Sequence, residues 1–109
     1  MQLSEQHCVP CEGGIPPLTS AAIETFRAQV NSAWKLEGSI KIKRDFSFKD
    51  FKEAMLFVNK VAAIAEEQQH HPNIHIFYSQ VTLELWTHAI SGLSDNDFIM
   101  ASKVDELIK

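Results

Sequence analysis

Glu66-Glu67-Gln68-Gln69-His70-His71-Pro72 puts carboxylates, two adjacent histidines and a proline into seven residues. Sixteen residues beyond Pro72 the chain delivers His88, so three of its five histidines could converge on one site. Imidazole is the side chain whose ordinary pKa lets it give and take a proton near neutral pH. The chemistry expected of such a cluster is proton transfer. Glu66 lies four residues before His70, on the same side if the helix continues, where it would orient that ring or favour its protonated form. The plain structural reading is a helix C-terminus with a proline stop.

A zinc site built from His70, His71 and His88 is the rival. Helical zinc motifs separate their histidines by three residues, whereas neighbours on a helix diverge by about 100°. The spacing therefore favours metal-free acid–base work. The chain carries no nucleophile elbow, phosphate loop or dinucleotide fingerprint. Cys8-Val9-Pro10-Cys11 could supply half of a zinc site or a redox pair. It sits in a Gly- and Pro-containing stretch without a second ligand pair at finger spacing, and it reads most simply as a reduced segment. Asp97 reads as a helix-capping carboxylate, Trp34 as a core aromatic, His75 as a solvated strand residue and Tyr78 as a core or rim aromatic.

These residues need elements to hold them. Residues 1–17 read as an irregular leader. Thr19 is placed to cap a first helix, with Leu18 and Ile23 as its staple and Ile23, Phe26 and Val30 on one face. From 33 to 46 the pattern turns to period two, with Glu37-Gly38 as the turn and Ile40 and Ile42 on the returning strand. Ser47-Phe48-Lys49-Asp50 reads as a capping box that opens a second helix. Its apolar stripe is Phe48, Phe51, Met55, Val58, Ala62 and Ala65, widened by Phe57, Val61 and Ile64. Residues 74–78 and 81–87 form a second hairpin. Val81, Leu83 and Leu85 take one face; Thr82, Glu84, Trp86 and His88 take the other. Ser94-Asp95-Asn96-Asp97 opens a last helix, with Phe98, Ala101, Val104 and Ile108 inward.

The order αββαββα predicts an α+β domain over residues 1–109, a four-stranded antiparallel sheet with three helices packed on one face. The other sheet face, carrying Trp86, and the edge strands would need covering by another subunit. Apolar content of 45%, charge content of 22%, net charge of -4 and a pI near 5.7 are those of an ordinary globular protein and argue against nucleic acid or an anionic membrane as partner. Neither a membrane span nor a secretory signal is legible, so a cytoplasmic protein is expected.

Glu66-x3-His70-His71-Pro72, Tyr78, Thr87-His88, Gly92-Leu93-Ser94 and Asp97 together resemble the pterin-4a-carbinolamine dehydratase signature. Trp34-Lys35-Leu36-Glu37-Gly38, the run Phe46 to Phe51 and the leader around Cys8 to Leu18 are also similar to that family. The resemblance implies a hydro-lyase that dehydrates a 4a-hydroxytetrahydropterin to a quinonoid dihydropterin in pterin cofactor recycling, with no metal or other cofactor. It implies His70 and His88 as acid–base residues, His71 as chiefly pterin-binding, Glu66 as orienting a histidine, Trp34 as an apolar wall and Asp97 as support on the His88 side. It also implies a homotetramer. The alternative on the same fold is a binding module, either a dimerisation partner of a transcription factor or an assembly factor for the carbon-fixing carboxylase.

Overall fold

A computed structural model describes residues 2–8 and 16–108. Cys11 and the glycines at 13 and 14 lie outside the described residues. The elements are α1 (Ser20–Arg27), β1 (Lys35–Glu37), β2 (Lys41–Ser47), α2 (Phe51–Gln68), β3 (Asn73–Phe77), β4 (Gln80–Leu85) and α3 (Asp95–Leu107), with single 3-10 turns at Leu3–Glu5 and His88–Ile90. The four strands make one antiparallel sheet in the order β1-β2-β4-β3, so β1 and β3 are its edges. The expected α+β order and sheet are therefore present.

Period two does what it should in β4: Val81, Leu83 and Leu85 are buried, and the residues between them are half-buried. The helices cover that buried face. Val61 of α2 and Phe98, Met100 and Val104 of α3 join Ile42 and the β4 residues in one core. Phe26 of α1 stacks on Phe98, with ring centroids 5.3 Å apart. Thr19 caps α1 as its position predicts, accepting from the Ala22 amide at 3.2 Å.

Three local expectations are corrected. The cap of α2 is Asp50, not Ser47: its carboxylate accepts from the Glu53 amide at 2.9 Å, because β2 keeps the chain extended through Ser47. Replacing Asp50 with alanine should lower stability by about 1 kcal/mol in urea unfolding, while Ser47→Ala should change it by less than about 0.5 kcal/mol. The buried face of α2 runs through Ala54, Phe57, Val58, Val61 and Ala65, so the stripe is turned from the one expected, and Phe51 is left 48% exposed. Phe57 sets that register by packing against both Phe46 and Phe48. Ile40 is not on a strand. It closes a turn in which Gly38 and Ser39 both have positive φ, its amide donating to the Glu37 carbonyl at 3.1 Å.

Candidate active site at the helix end and the return loop

Two chain reversals build the site. At the first, α2 stops at Gln68, and Gln69 adopts the left-handed conformation (φ 54°). The amides of Gln69 and His70 both donate to the Ala65 carbonyl, which satisfies a helix-end acceptor. His70 therefore stands beyond the helix rather than on its last turn, and Pro72 leads the chain out into β3. This corrects the expected pairing of Glu66 with His70. The Glu66 carboxylate instead meets His71 Nε2 at 2.6 Å, and both side chains are largely solvated.

At the second reversal β4 ends at Leu85, before the expected Thr87. Thr87 and Gly92 form an isolated antiparallel bridge, the Thr87 amide donating to the Gly92 carbonyl at 2.8 Å. The residues between them loop outward. His88 opens the 3-10 turn there and is exposed, rather than lying on the strand face. Gly92 is required at the base of the loop: a Cβ there would stand 2.8 Å from Cβ of Pro17. That contact is closed by a hydrogen bond from the Leu18 amide to the Leu93 carbonyl at 2.9 Å.

Asp97 joins the two reversals. It is the third residue of α3, and its side chain is fully buried. One carboxylate oxygen accepts from the Ser94 amide at 3.0 Å and from Thr87 Oγ1 at 2.9 Å. The other lies 2.6 Å from His70 Nε2. A carboxylate can only accept, so the ring donates from Nε2, and a neutral His70 keeps Nδ1 as its basic nitrogen. Asp97 thus caps its helix and orients His70 at once. The expectation that it supports the His88 side is corrected to this extent: its reach toward His88 is through Thr87, the preceding residue, and its direct imidazole partner is His70.

Around these groups lies a cleft of about 370 Å³. His70, His71 and His88 line it together with Pro72, Trp86 and Thr87. Trp34 is not brought there. It is 2% exposed, meets Phe46 edge-on, and donates from its indole nitrogen to Asp105 at 2.8 Å. The aromatic wall of the cleft is Trp86, which the sequence assigned only to the outer sheet face. Its signal was two-residue adjacency to His88; the rings lie 4.3 Å apart at 35°. Tyr78 is a turn residue with positive φ, 70% exposed, and is not among the residues lining the cleft. His75 lies on β3 and bonds to Glu84 at 2.9 Å.

Among the described residues no group of three or more His, Cys, Asp or Glu side chains is disposed to hold a metal ion. The Cys8 thiol is pushed up to about 11, chiefly by burial, which makes it a poor nucleophile. No helix among the described residues is long and apolar enough to cross a membrane.

Residues 16–107 match the sequence profile of the family described as Pterin 4 alpha carbinolamine dehydratase. A Rickettsia canadensis protein named "Putative pterin-4-alpha-carbinolamine dehydratase" is 42% identical over 106 residues, covering 97% of each chain. A Nitrosomonas eutropha protein of the same name is 45% identical over 106 residues, 97% of this chain and 93% of its own. Among solved structures, a transcriptional coactivator/pterin dehydratase from Brucella melitensis superposes with a TM-score of 0.79 at 31% identity, over 85% of this chain and 99% of its own. A pterin dehydratase-like protein identified as a RuBisCO assembly factor in the alpha-carboxysome superposes with a TM-score of 0.60 at 25% identity, over 69% and 88% of the two chains. The profile covers both chain reversals and the buried carboxylate between them, and on that match the chain belongs to the pterin-4a-carbinolamine dehydratase family.

Proposed function

We propose that this protein is a hydro-lyase that removes water from a 4a-hydroxytetrahydropterin. The observation that carries the reading is the convergence of three imidazoles in one cleft with a buried carboxylate behind one of them. The reaction breaks the C4a–O bond and releases the proton on N5, forming the C4a=N5 bond of the quinonoid dihydropterin. The departing hydroxyl leaves as water once it has been given a proton.

His70 suits the base. Taking the N5 proton turns it into an imidazolium, and the Asp97 carboxylate at 2.6 Å stabilises the charge that forms. His88, exposed on its loop, suits the acid that meets the 4a-hydroxyl. His71, oriented by Glu66, binds the pterin from the rim of the cleft. Trp86, not Trp34, is the indole that lines the cleft, and it stands against the His88 ring. Stopped-flow absorbance of a freshly generated 4a-hydroxytetrahydropterin tests this directly. Dehydration should be faster with the protein than in buffer across neutral pH, and a rate equal to buffer would sink the assignment.

The same reading carries self-association, and one surface favours it. On edge strand β3 and its turn, Ile76, Phe77 and Tyr78 are 38%, 65% and 70% exposed. An apolar sheet edge of this kind pairs readily with another chain. A second copy of this chain is the simplest occupant and is in keeping with a homotetramer. Light scattering after gel filtration should give a mass above one chain, and Phe77→Lys should shift it toward the monomer. A wild-type protein that runs as a monomer at micromolar concentration rules this assembly out.

A further inference from the structure

His88 occupies an exposed 3-10 turn, and among the described residues its ring has no hydrogen-bond partner. An acid must nonetheless be held in register with the bond it protonates; a misplacement of about 1 Å can cost 10²-fold in rate. One contact is available to do this. The Trp86 indole lies 4.3 Å from the His88 ring, tilted by 35°.

The indole is itself held from the outer face of the sheet. The last paired residues of β2 and β4 at this end are Ile42 and Leu85, so Lys41 and Trp86 come next on neighbouring strands. Lys41 Nζ sits 5.4 Å from the indole centroid, inside the roughly 6 Å reach of a cation–π contact. That ammonium is in turn fixed by Glu84 at 2.8 Å and, more loosely, by Glu37 at 3.6 Å. Glu84 also receives His75 at 2.9 Å. Lys41 first and then His75 hold the Glu84 carboxyl down at about 2, and the hydrogen bond to Glu84 in turn raises the Lys41 amine. Both groups keep their charges throughout the neutral range, so the brace does not switch off near working pH.

We propose that Trp86 is the positioning residue that fixes the His88 imidazole in the cleft, and that Lys41, pinned by Glu84, holds the indole in place. The inference rests on the assignment of His88 as a proton donor, and it adds two outer-face residues to the set that determines rate.

The test combines kinetics with NMR of the His88 ring protons in wild type, Trp86→Leu, Trp86→Phe and Lys41→Met, the signals being assigned with His88→Gln. In wild type those protons should be shifted by the indole ring current. Trp86→Leu should abolish that shift and lower kcat by about 10- to 100-fold, with KM changed by less than about threefold. Trp86→Phe, which keeps an aromatic face, should retain the shift and stay within about fivefold of wild-type kcat. Lys41→Met, which does not touch the cleft, should weaken the shift and fall between the two. An unchanged His88 spectrum in Trp86→Leu overturns the proposal, as does a loss that appears only in KM, since Trp86 would then be a binding wall. If the wild type proves inactive, the dehydratase assignment falls, and Lys41→Met, which keeps the indole but removes its brace, still decides whether the braced indole fixes His88: an unchanged ring shift there overturns the proposal.

Discussion

His70→Ala and His88→Ala should each dehydrate a 4a-hydroxytetrahydropterin with kcat about 10²- to 10⁴-fold below wild type, measured by stopped-flow absorbance. Each removes one proton-transfer partner, and the range is that of a positioned acid or base. His71→Ala should raise KM more than it lowers kcat, because its Glu66 pair lies in solvent at the rim. The His70/His88 double variant should lose less than the product of the single losses, since proton removal and hydroxyl departure belong to one event. Equal, small losses for all three single variants would mean that solvent carries the protons and the cleft only binds.

Asp97→Ala should have the largest combined effect, on folding as well as on rate. Its carboxylate is fully buried and receives the Ser94 amide, the Thr87 hydroxyl and the His70 ring. Truncation leaves those donors without their acceptor and removes half of the α3 capping box, which should cost about 2–4 kcal/mol in urea unfolding at neutral pH. kcat should fall to the level of His70→Ala, because the ring loses the group that sets its tautomer. Asp97→Asn separates the two consequences. Its amide oxygen can still accept from Ser94 and Thr87, so most of the stability should return. Its NH₂ would face the His70 N–H, so activity should not recover. Glu66→Gln, at a solvated pair, should change stability by less than about 0.5 kcal/mol.

The sequence was legible where a pattern repeats over several residues. Val81, Leu83 and Leu85 marked the buried face of β4, and Thr19 and Ser94 marked helix starts, because side-chain period and capping chemistry are local properties. Legibility failed where several local solutions compete. Phe51 and Phe57 satisfy the helical stripe of α2 almost equally, and only the packing of Phe57 between Phe46 and Phe48 decides which faces inward. Gln69 ends α2 in a left-handed residue that a glycine would have announced, so the exit direction of His70 was not visible beforehand.

For the site, the sequence by itself determined which groups are present: three imidazoles and Asp97, with a resemblance strong enough to suggest what they do. The tertiary structure decided which of them meet. Asp97 lies 27 residues from His70 and reaches it because α3 packs its first turn against the end of α2. Glu66 was displaced from His70 to His71 by the left-handed residue between them. Trp34 went to the core and Trp86 to the cleft, although both read as plausible strand aromatics. The physical reason is common to all three. Residue type and helical or strand period are fixed by the local chain, but a pairing between elements depends on where each chain reversal sends the next one.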